Sequence, residues 1–309
     1  MAGVSELDWK KCSNCFHTMT AFVVAEFKKL AHVDVEFVDH VNYRVLGSQD
    51  VFEYWNSAEF INSIKNTDFI VYIGYASGNR MPWHEIRKRV SNKVVSLLEI
   101  AFLDADWSLC FTNYPPGTIR NNVTTIIAPC SKNVYINVPK TKSILMDHWT
   151  GNMAANNWNT CTKDDIDWTH RISDWLSSVK DDYKICRMVR FGQQETDTVK
   201  PYESMLPHCY YGEFLDKTND FETFVVTHAD GYGYGVIDMA ARGIRVISPP
   251  GFICPELVDA FGIHIFHNQD ELVDIIKSPV DEHWNNCINK CTDYSDIVKI
   301  IDNKFQGWL

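Results

Sequence analysis

The sequence predicts an α/β chain built as two parallel-sheet halves. Short apolar runs alternate with helix-patterned segments along all 309 residues, which is the pattern of strand–helix–strand units. Hydrophobic residues make up 45% of the chain and charged residues 22%, so a core can form and global disorder is excluded. Near the middle, WTGNMAANNWNTCTKDD (149–165) is polar, rich in asparagine and without periodicity, the composition of a linker. The length suffices for two domains of ordinary size, and no internal repeat is present.

Taken in order, FHTMTAFVVAEFKKL (16–30) reads as a helix and VDVEFVD (33–39) as the strand after it. DVFEYWNSAEFINSIKN (50–66) is helical, DFIVYIGYAS (68–77) a buried strand running into a glycine loop, and HEIRKRV (84–90) a short basic helix. KVVSLLEIAF (93–102), TTIIAPC (124–130) and KSILMDH (142–148) complete the strands of the first half. The second half opens on DIDWTHRISDWLSSVKD (165–181), where Trp168, Ile172, Trp175 and Leu176 share a helical face and Thr162 or Asp164 can cap the start. Strands follow at 183–191, 221–229, 244–250 and 263–268, separated by helices at 236–243, 254–262 and 270–278. The expected division is a first domain over 1–160, a second over 161–290, and a final helix over 291–309 crossing back to the first, with the ligand in a cleft between the halves.

Charge and targeting signals narrow the function. The net charge is −11, unfavourable for a protein that relies on broad attraction to nucleic-acid phosphates. The densest basic group is Arg80, Arg87, Lys88, Arg89 and Lys93, either a local anion-facing surface or a solvated helix face. No apolar run reaches the ~18 residues of a membrane span. The N-terminal MAGVSELDWKK lacks the features of a secretory signal. The expectation is a soluble, cytoplasmic protein whose ten cysteines are reduced thiols. Zinc held by the pairs Cys12/Cys15 and Cys287/Cys291 is the alternative, at an unusual spacing.

One stretch concentrates the chemistry: THADGYGYGVIDMAARGIRVISPP (227–250). Gly231, Gly233 and Gly235 let backbone amides approach a ligand closely, and a helix starting near Gly235 presents unpaired N–H groups to an anion. Neither the G-x-G-x-x-G dinucleotide fingerprint nor a P-loop is present. Glycines in this number also suit a purely structural turn. Asp230 and Asp238 lie eight positions apart around the glycines, ahead of Met-Ala-Ala-x-Gly and a strand ending Ser-Pro-Pro. A carboxylate at 238 can accept two hydrogen bonds from the vicinal hydroxyls of a ribose, and one at 230 can meet sugar hydroxyls. The bland alternative makes Asp230 a turn residue and places Asp238 on a solvated face.

This spacing resembles the donor-site signature of GT-B glycosyltransferases, in which two acidic residues eight apart flank a glycine-rich turn. GVIDMAARGIRVIS continues the likeness, with Asp238 for the usual glutamate and Arg245 for proline, and HIFHNQDELVDIIK resembles the family's ending. The likeness covers roughly residues 183–280. It implies two Rossmann-like parallel-sheet domains facing a cleft and a nucleotide diphosphate sugar, UDP- or GDP-linked, as donor. The diphosphate would meet Arg190 and Gln193 together with Gly231, Tyr232, Gly233, Tyr234 and Gly235. The RFGQQE segment (190–195) also resembles the T-even phage DNA β-glucosyltransferases, where arginines hold the diphosphate; that likeness implies a viral setting and hydroxymethylated DNA as acceptor.

Inverting transfer needs a base for the acceptor hydroxyl. Glu99, at the tip of the 93–102 strand, resembles the phage enzymes' base in position, and His17 resembles that of another GT-B branch; a cap and a core histidine are the structural alternatives. FLDADW (102–107) offers a competing motif, because Asp104-x-Asp106 after an apolar strand resembles the metal-holding pair of GT-A glycosyltransferases. The GT-B reading needs no resident metal, since Arg190 and a helix N-terminus take the leaving charge; Mg or Mn would enter with the GT-A reading. The expected acceptor is a glycan or small hydroxylated molecule. Modified DNA, and a non-catalytic sugar- or nucleotide-binding module, are the alternatives.

Overall fold

In the computed structural model the described residues are 8–12, 15–35, 58–73, 87–98, 105–111, 122–126, 129–136, 138–148, 163–189, 199–207, 209–228 and 234–309. They fall into two compact units: one of Phe16–Ile127 with Tyr294–Leu309, the other of Trp9–Cys15 with Ala128–Asp293. The division thus comes between residues 127 and 128 rather than at the polar stretch 149–165.

In the first unit, helices α1 (Cys15–Phe27) and α2 (Ala58–Lys65) accompany a four-stranded parallel sheet in the order β1 (Phe69–Ile73), β2 (Lys93–Leu98), β3 (Trp107–Phe111), β4 (Val123–Ile126). Val94, Val95, Ser96 and Leu97 of β2 are fully buried, as an inner parallel strand with both faces covered requires. The C-terminal helix, Tyr294–Gln306, belongs to this unit. It buries Ile297, Val298, Ile301 and Phe305, one stripe of an amphipathic helix. Phe305 stacks on Phe69 with ring centroids 4.2 Å apart, and Tyr294 stacks on Phe22 at 5.1 Å.

Two strand expectations need correction. WSLCF forms β3 although 102–107 reads as the end of a strand followed by a metal motif; the fully buried Ser108 interrupts its apolar pattern. TTIIAPC is not one strand. Its first part is β4 in the first unit, whereas β5 (Pro129–Cys130) lies in the second and pairs with β12 (Thr292–Asp293).

The second unit holds a six-stranded, all-parallel sheet. Its chain order is β6 (Thr141–His148), α3 (Lys163–Leu176), β7 (Lys184–Val189), β8 (Glu203–Leu206), α4 (Tyr211–Thr218), β9 (Phe221–Val225), α5 (Tyr234–Ala241), β10 (Arg245–Ser248), α6 (Pro255–Phe261), β11 (His264–Ile265) and α7 (Gln269–Lys277). The spatial order is β11-β10-β9-β6-β7-β8. KSILMDH, placed by the sequence in the first half, is therefore an inner strand here. Ile172 and Leu176 of α3 and Leu272 and Ile276 of α7, each pair four residues apart, pack on Ile144, Met146, Ile185, Val225 and Ile247 of the strands. Trp168 and Trp175 close the edge of this cluster, so the predicted apolar face of α3 is the face that is buried.

Two buried arginines hold the periphery of this sheet. Arg187 Nε lies 2.7 Å from Glu203 Oε2, both side chains fully buried, tying edge strand β8 to β7. Arg245 stands where the family resemblance has proline, and its guanidinium supplies the reason. It donates to the carbonyls of Ile275 (2.7 Å), Ile276 (2.9 Å) and Ser278 (3.0 Å) at the C-terminal end of α7, where the helix itself supplies no donors; Ser278 Oγ and Tyr183 OH also donate to the first two.

The segment Trp9–Cys15 also belongs to this unit. The 3-10 turn Trp9–Lys11 lies against α4: the Trp9 ring meets Tyr211 edge-on at 6.0 Å, and Tyr211 N donates to Cys12 O at 2.8 Å. A Cβ on Gly212 would stand 2.9 Å from Lys10 Cβ, closer than such atoms approach, so the contact requires glycine.

Candidate functional site

In an open parallel sheet, ligands bind beyond the carboxyl ends of the strands where the winding reverses. Here β6, β7 and β8 run outward on one side and β9, β10 and β11 on the other, so the reversal falls between β6 and β9. At their carboxyl ends Asp147 Oδ2 lies 3.0 Å from His228 Nδ1, both side chains almost fully buried. Thr227 Oγ1 donates to Asp147 O at 2.7 Å, and Thr169 Oγ1 of α3 donates to Thr227 O at 3.4 Å. The chain then enters the stretch 229–233, which lies outside the described residues, and resumes as α5.

Helix α5 starts at Tyr234, one residue before the expected start near Gly235. Gly235 is half-buried in its first turn, and Tyr234 is described in backbone only. The helix ends on Gly243 at φ 73°, a left-handed closure that glycine adopts at no steric cost.

Asp238 sits in the second turn of α5, with its side chain 13% exposed. Its Oδ1 accepts hydrogen bonds from Tyr135 (2.8 Å) and Tyr211 (2.5 Å), and its Oδ2 lies 3.0 Å from Arg242 Nη2. Burial, and then the charge of Asp238, push both phenols well above the usual tyrosine range. Arg242 is itself enclosed, donating to Thr218 Oγ1 at 2.8 Å and lying 5.4 Å over the Phe214 ring. A ribose diol needs an open carboxylate. The described carboxylate instead has three protein partners, so Asp238 joins α5 to α4 and to the segment that precedes β6.

The other expected site residues divide as follows. Arg190, immediately beyond β7, and Gln193 lie outside the described residues, as do Asp230, Gly231, Tyr232 and Gly233 on the donor turn and Glu99 one residue past β2. His17 lies in the first turn of α1, described in backbone only. Asp104 is outside the described residues. Asp106 is described and is committed: Oδ2 accepts from Arg87 Nη2 and Val94 N, each at 2.8 Å, and Oδ1 lies 3.3 Å from Lys93 Nζ. Two members of the expected basic surface therefore serve an internal carboxylate. Among the described residues no group of three or more His, Cys, Asp or Glu could hold a metal ion. Cys287 Sγ lies 3.5 Å from His283 O, and Cys291 Sγ lies 3.6 Å from Cys287 O; the Cys15 side chain lies outside the described residues. No helix of the described residues is long and apolar enough to cross a membrane.

The Asp147–His228 pair escaped the sequence reading. Its members lie 81 positions apart; Asp147 sits in no motif, and His228, though inside the 227–250 stretch, is not one of its motif positions. The available signal was that each ends a predicted strand, since a titratable residue at the carboxyl tip of a parallel strand faces the ligand edge.

No family model and no curated protein sequence matches the chain, but solved structures do. The lipopolysaccharide outer core galactosyltransferase WaaB, in its apo form, is similar at a TM-score of 0.55 and 13% identity over 100% of this chain and 98% of its own. HepE of Anabaena, solved with UDP-glucose, is similar at a TM-score of 0.54 and 10% identity over 81% of each chain. The pneumococcal O-GlcNAc transferase GtfA, solved with UDP and GlcNAc, gives a TM-score of 0.51 at 9% identity over 81% of this chain, which spans 59% of GtfA's length. The fold is that of the GT-B glycosyltransferases, with two units each built on a parallel sheet. The GT-A reading of Asp104 and Asp106 is thereby corrected: the fold is GT-B, and the Asp106 carboxylate is already satisfied by a cation and a backbone amide.

Proposed function

We propose that the chain transfers a sugar from a nucleoside diphosphate sugar to a hydroxyl of a glycan or small acceptor. One observation carries the reading: the glycine turn and the start of α5 follow directly from the reversal point between β6 and β9, in a chain with the GT-B fold. A diphosphate placed there meets the amides of residues 231–235 and the positive end of α5. Arg190, one residue beyond β7, supplies the cation and Gln193 a further donor, so the leaving charge is held without a resident metal. UDP is favoured over GDP because HepE and GtfA were solved with UDP or a UDP-sugar.

In this reading Asp230 meets the donor sugar, and Asp238 acts by position. By anchoring Tyr135, Tyr211 and Arg242 it sets the pitch of α5 and so aims its N-terminus. Glu99 takes the acceptor proton, with His17 as the alternative base. Modified DNA is disfavoured as acceptor by the net charge of −11 and by the use of Arg87 and Lys93 on Asp106.

The test is thermal unfolding against a panel of UDP- and GDP-sugars. A UDP-sugar at one hundred times its Kd should stabilise the fold by about 2.7 kcal/mol. If no nucleotide raises Tm, the donor assignment fails. Glu99→Gln should then abolish transfer while leaving the UDP shift intact; donor binding without transfer or hydrolysis in the unaltered protein would make the chain a binding module instead.

A further inference from the structure

The pairing of β6 with β9 ends at Met146 and Val225. Val226 N still donates to Ile247 O at 3.0 Å, and Thr227 and His228 then lie beyond the paired residues, where side chains take over from the ladder. Strand β6 continues further on its other side, pairing Asp147 with Met188 and His148 with Val189 of β7, so the backbone of Asp147 is held by the sheet. From there Asp147 reaches both residues that follow β9. Its carbonyl accepts from Thr227 Oγ1 at 2.7 Å, and its Oδ2 lies 3.0 Å from His228 Nδ1. Thr169 of α3 donates to Thr227 O at 3.4 Å, and Asp147, Thr169, Thr227 and His228 are all buried.

We propose that Asp147 is a positioning residue for nucleotide binding, acting through His228 to fix where the chain leaves β9 for the glycine turn. The proposal rests on the donor site argued above, whose amides come from residues 231–235. The chain enters that turn from His228 and leaves it as α5. Asp238 anchors α5 through Tyr135, Tyr211 and Arg242, and Asp147 anchors the entry. A buried charged pair is often no more stabilising than apolar side chains of the same volume, so stability alone does not call for a carboxylate here. What the pair supplies is direction: a short contact between two named atoms admits one placement of His228. Amides already in place when the diphosphate arrives bind it with little further ordering cost.

The experiment titrates the full chain with UDP by isothermal calorimetry, well below Tm. Asp147→Ala should raise the UDP dissociation constant by about tenfold, the scale of lost preorganisation, and His228→Ala by a similar factor. The double variant should bind no more weakly than either single one, because each removes the same contact. A purely structural pair would lower Tm and leave the dissociation constant where it was. Should Asp147→Ala fail to fold, Asp147→Asn keeps the side-chain shape, takes the charge from His228, and should raise the constant in the same direction. A constant within about twofold of the unaltered protein overturns the proposal. So does a double variant weakened by about a hundredfold, the product of two independent losses. An unaltered protein that binds no UDP overturns the donor site itself, and the proposal with it.

Discussion

Asp238→Asn separates a ligand-binding carboxylate from a structural one. The substitution keeps the side-chain shape, so an amide oxygen can still accept from Tyr135 and Tyr211, but it places an amide group or a neutral oxygen against Arg242, whose side chain is 1% exposed. Removing one partner of a buried ion pair costs about 3–5 kcal/mol, because the remaining charge is left uncompensated. Arg242 keeps its bond to Thr218 Oγ1, which puts the loss near the lower end, ~3 kcal/mol. For a domain of this size 1 kcal/mol moves Tm by roughly 2–4 °C, so a fall of roughly 6–12 °C is expected. The assay is scanning calorimetry of both proteins with and without UDP. The structure requires the fall in Tm to be present without nucleotide. An unchanged Tm together with a raised KM for the donor would refute the reasoning, because the carboxylate would then be open to a ribose diol and its protein partners dispensable.

Arg245→Met removes the guanidinium from the α7 carbonyls and leaves Glu222, 3.3 Å away, without its cation. Burial pushes Glu222 up and Arg245 down, so desolvation outweighs their attraction and the stabilisation lies in the carbonyl bonds; a loss of about 3 kcal/mol in urea unfolding is expected. Gly262→Ala forces a side chain into φ 67° and places its Cβ 3.0 Å from His283 Nε2; the same assay should register a loss of about 1–2 kcal/mol. Tyr135 and Tyr211 have pKa values raised on folding. The unfolded chain therefore releases their protons first, and the stability they contribute, complete below about pH 10, declines as pH rises through the folded values. Ultraviolet titration should show two phenols that resist ionisation in the native protein and titrate earlier in Asp238→Asn, where the negative charge is gone.

Legibility was uneven for identifiable reasons. The strands at 184–189, 221–225 and 245–248 were plain because each is a short, mostly apolar run with β-branched residues, even though Arg187, Glu222 and Arg245 interrupt them. β8 was missed because ESML is a four-residue edge strand whose Glu203 turns inward to Arg187; taken alone, that glutamate argues for a loop. Helix α4 was missed because YGEFLDKT opens with a tyrosine and a glycine and has no capping side chain. Its reason to be helical is tertiary: the Trp9–Lys11 turn lies over Gly212 and Tyr211, and Leu215 and Thr218 are buried. The division of the chain was misplaced because polarity marks a linker only by correlation. Residues 149–165 are polar, yet β6, which precedes them, pairs with β7 and β9.

By itself, the sequence determined the α/β class, the burial stripe of α3, the glycine closure of α5 and the likeness of 227–250 to a GT-B donor turn. Each is set by residues within a few positions of one another, where periodicity, backbone freedom and motif spacing act. The tertiary structure alone decided the pairing order of the strands, the Asp147–His228 contact at the reversal point, and the capping of α7 by Arg245. It also decided the partners of Asp238. Tyr135 and Tyr211 stand 103 and 27 positions from it, and nothing local distinguishes an aspartate that will meet a nucleotide from one that will be enclosed by phenols. A carboxylate's role is set by which donors reach it first, and those donors arrive only when distant segments pack.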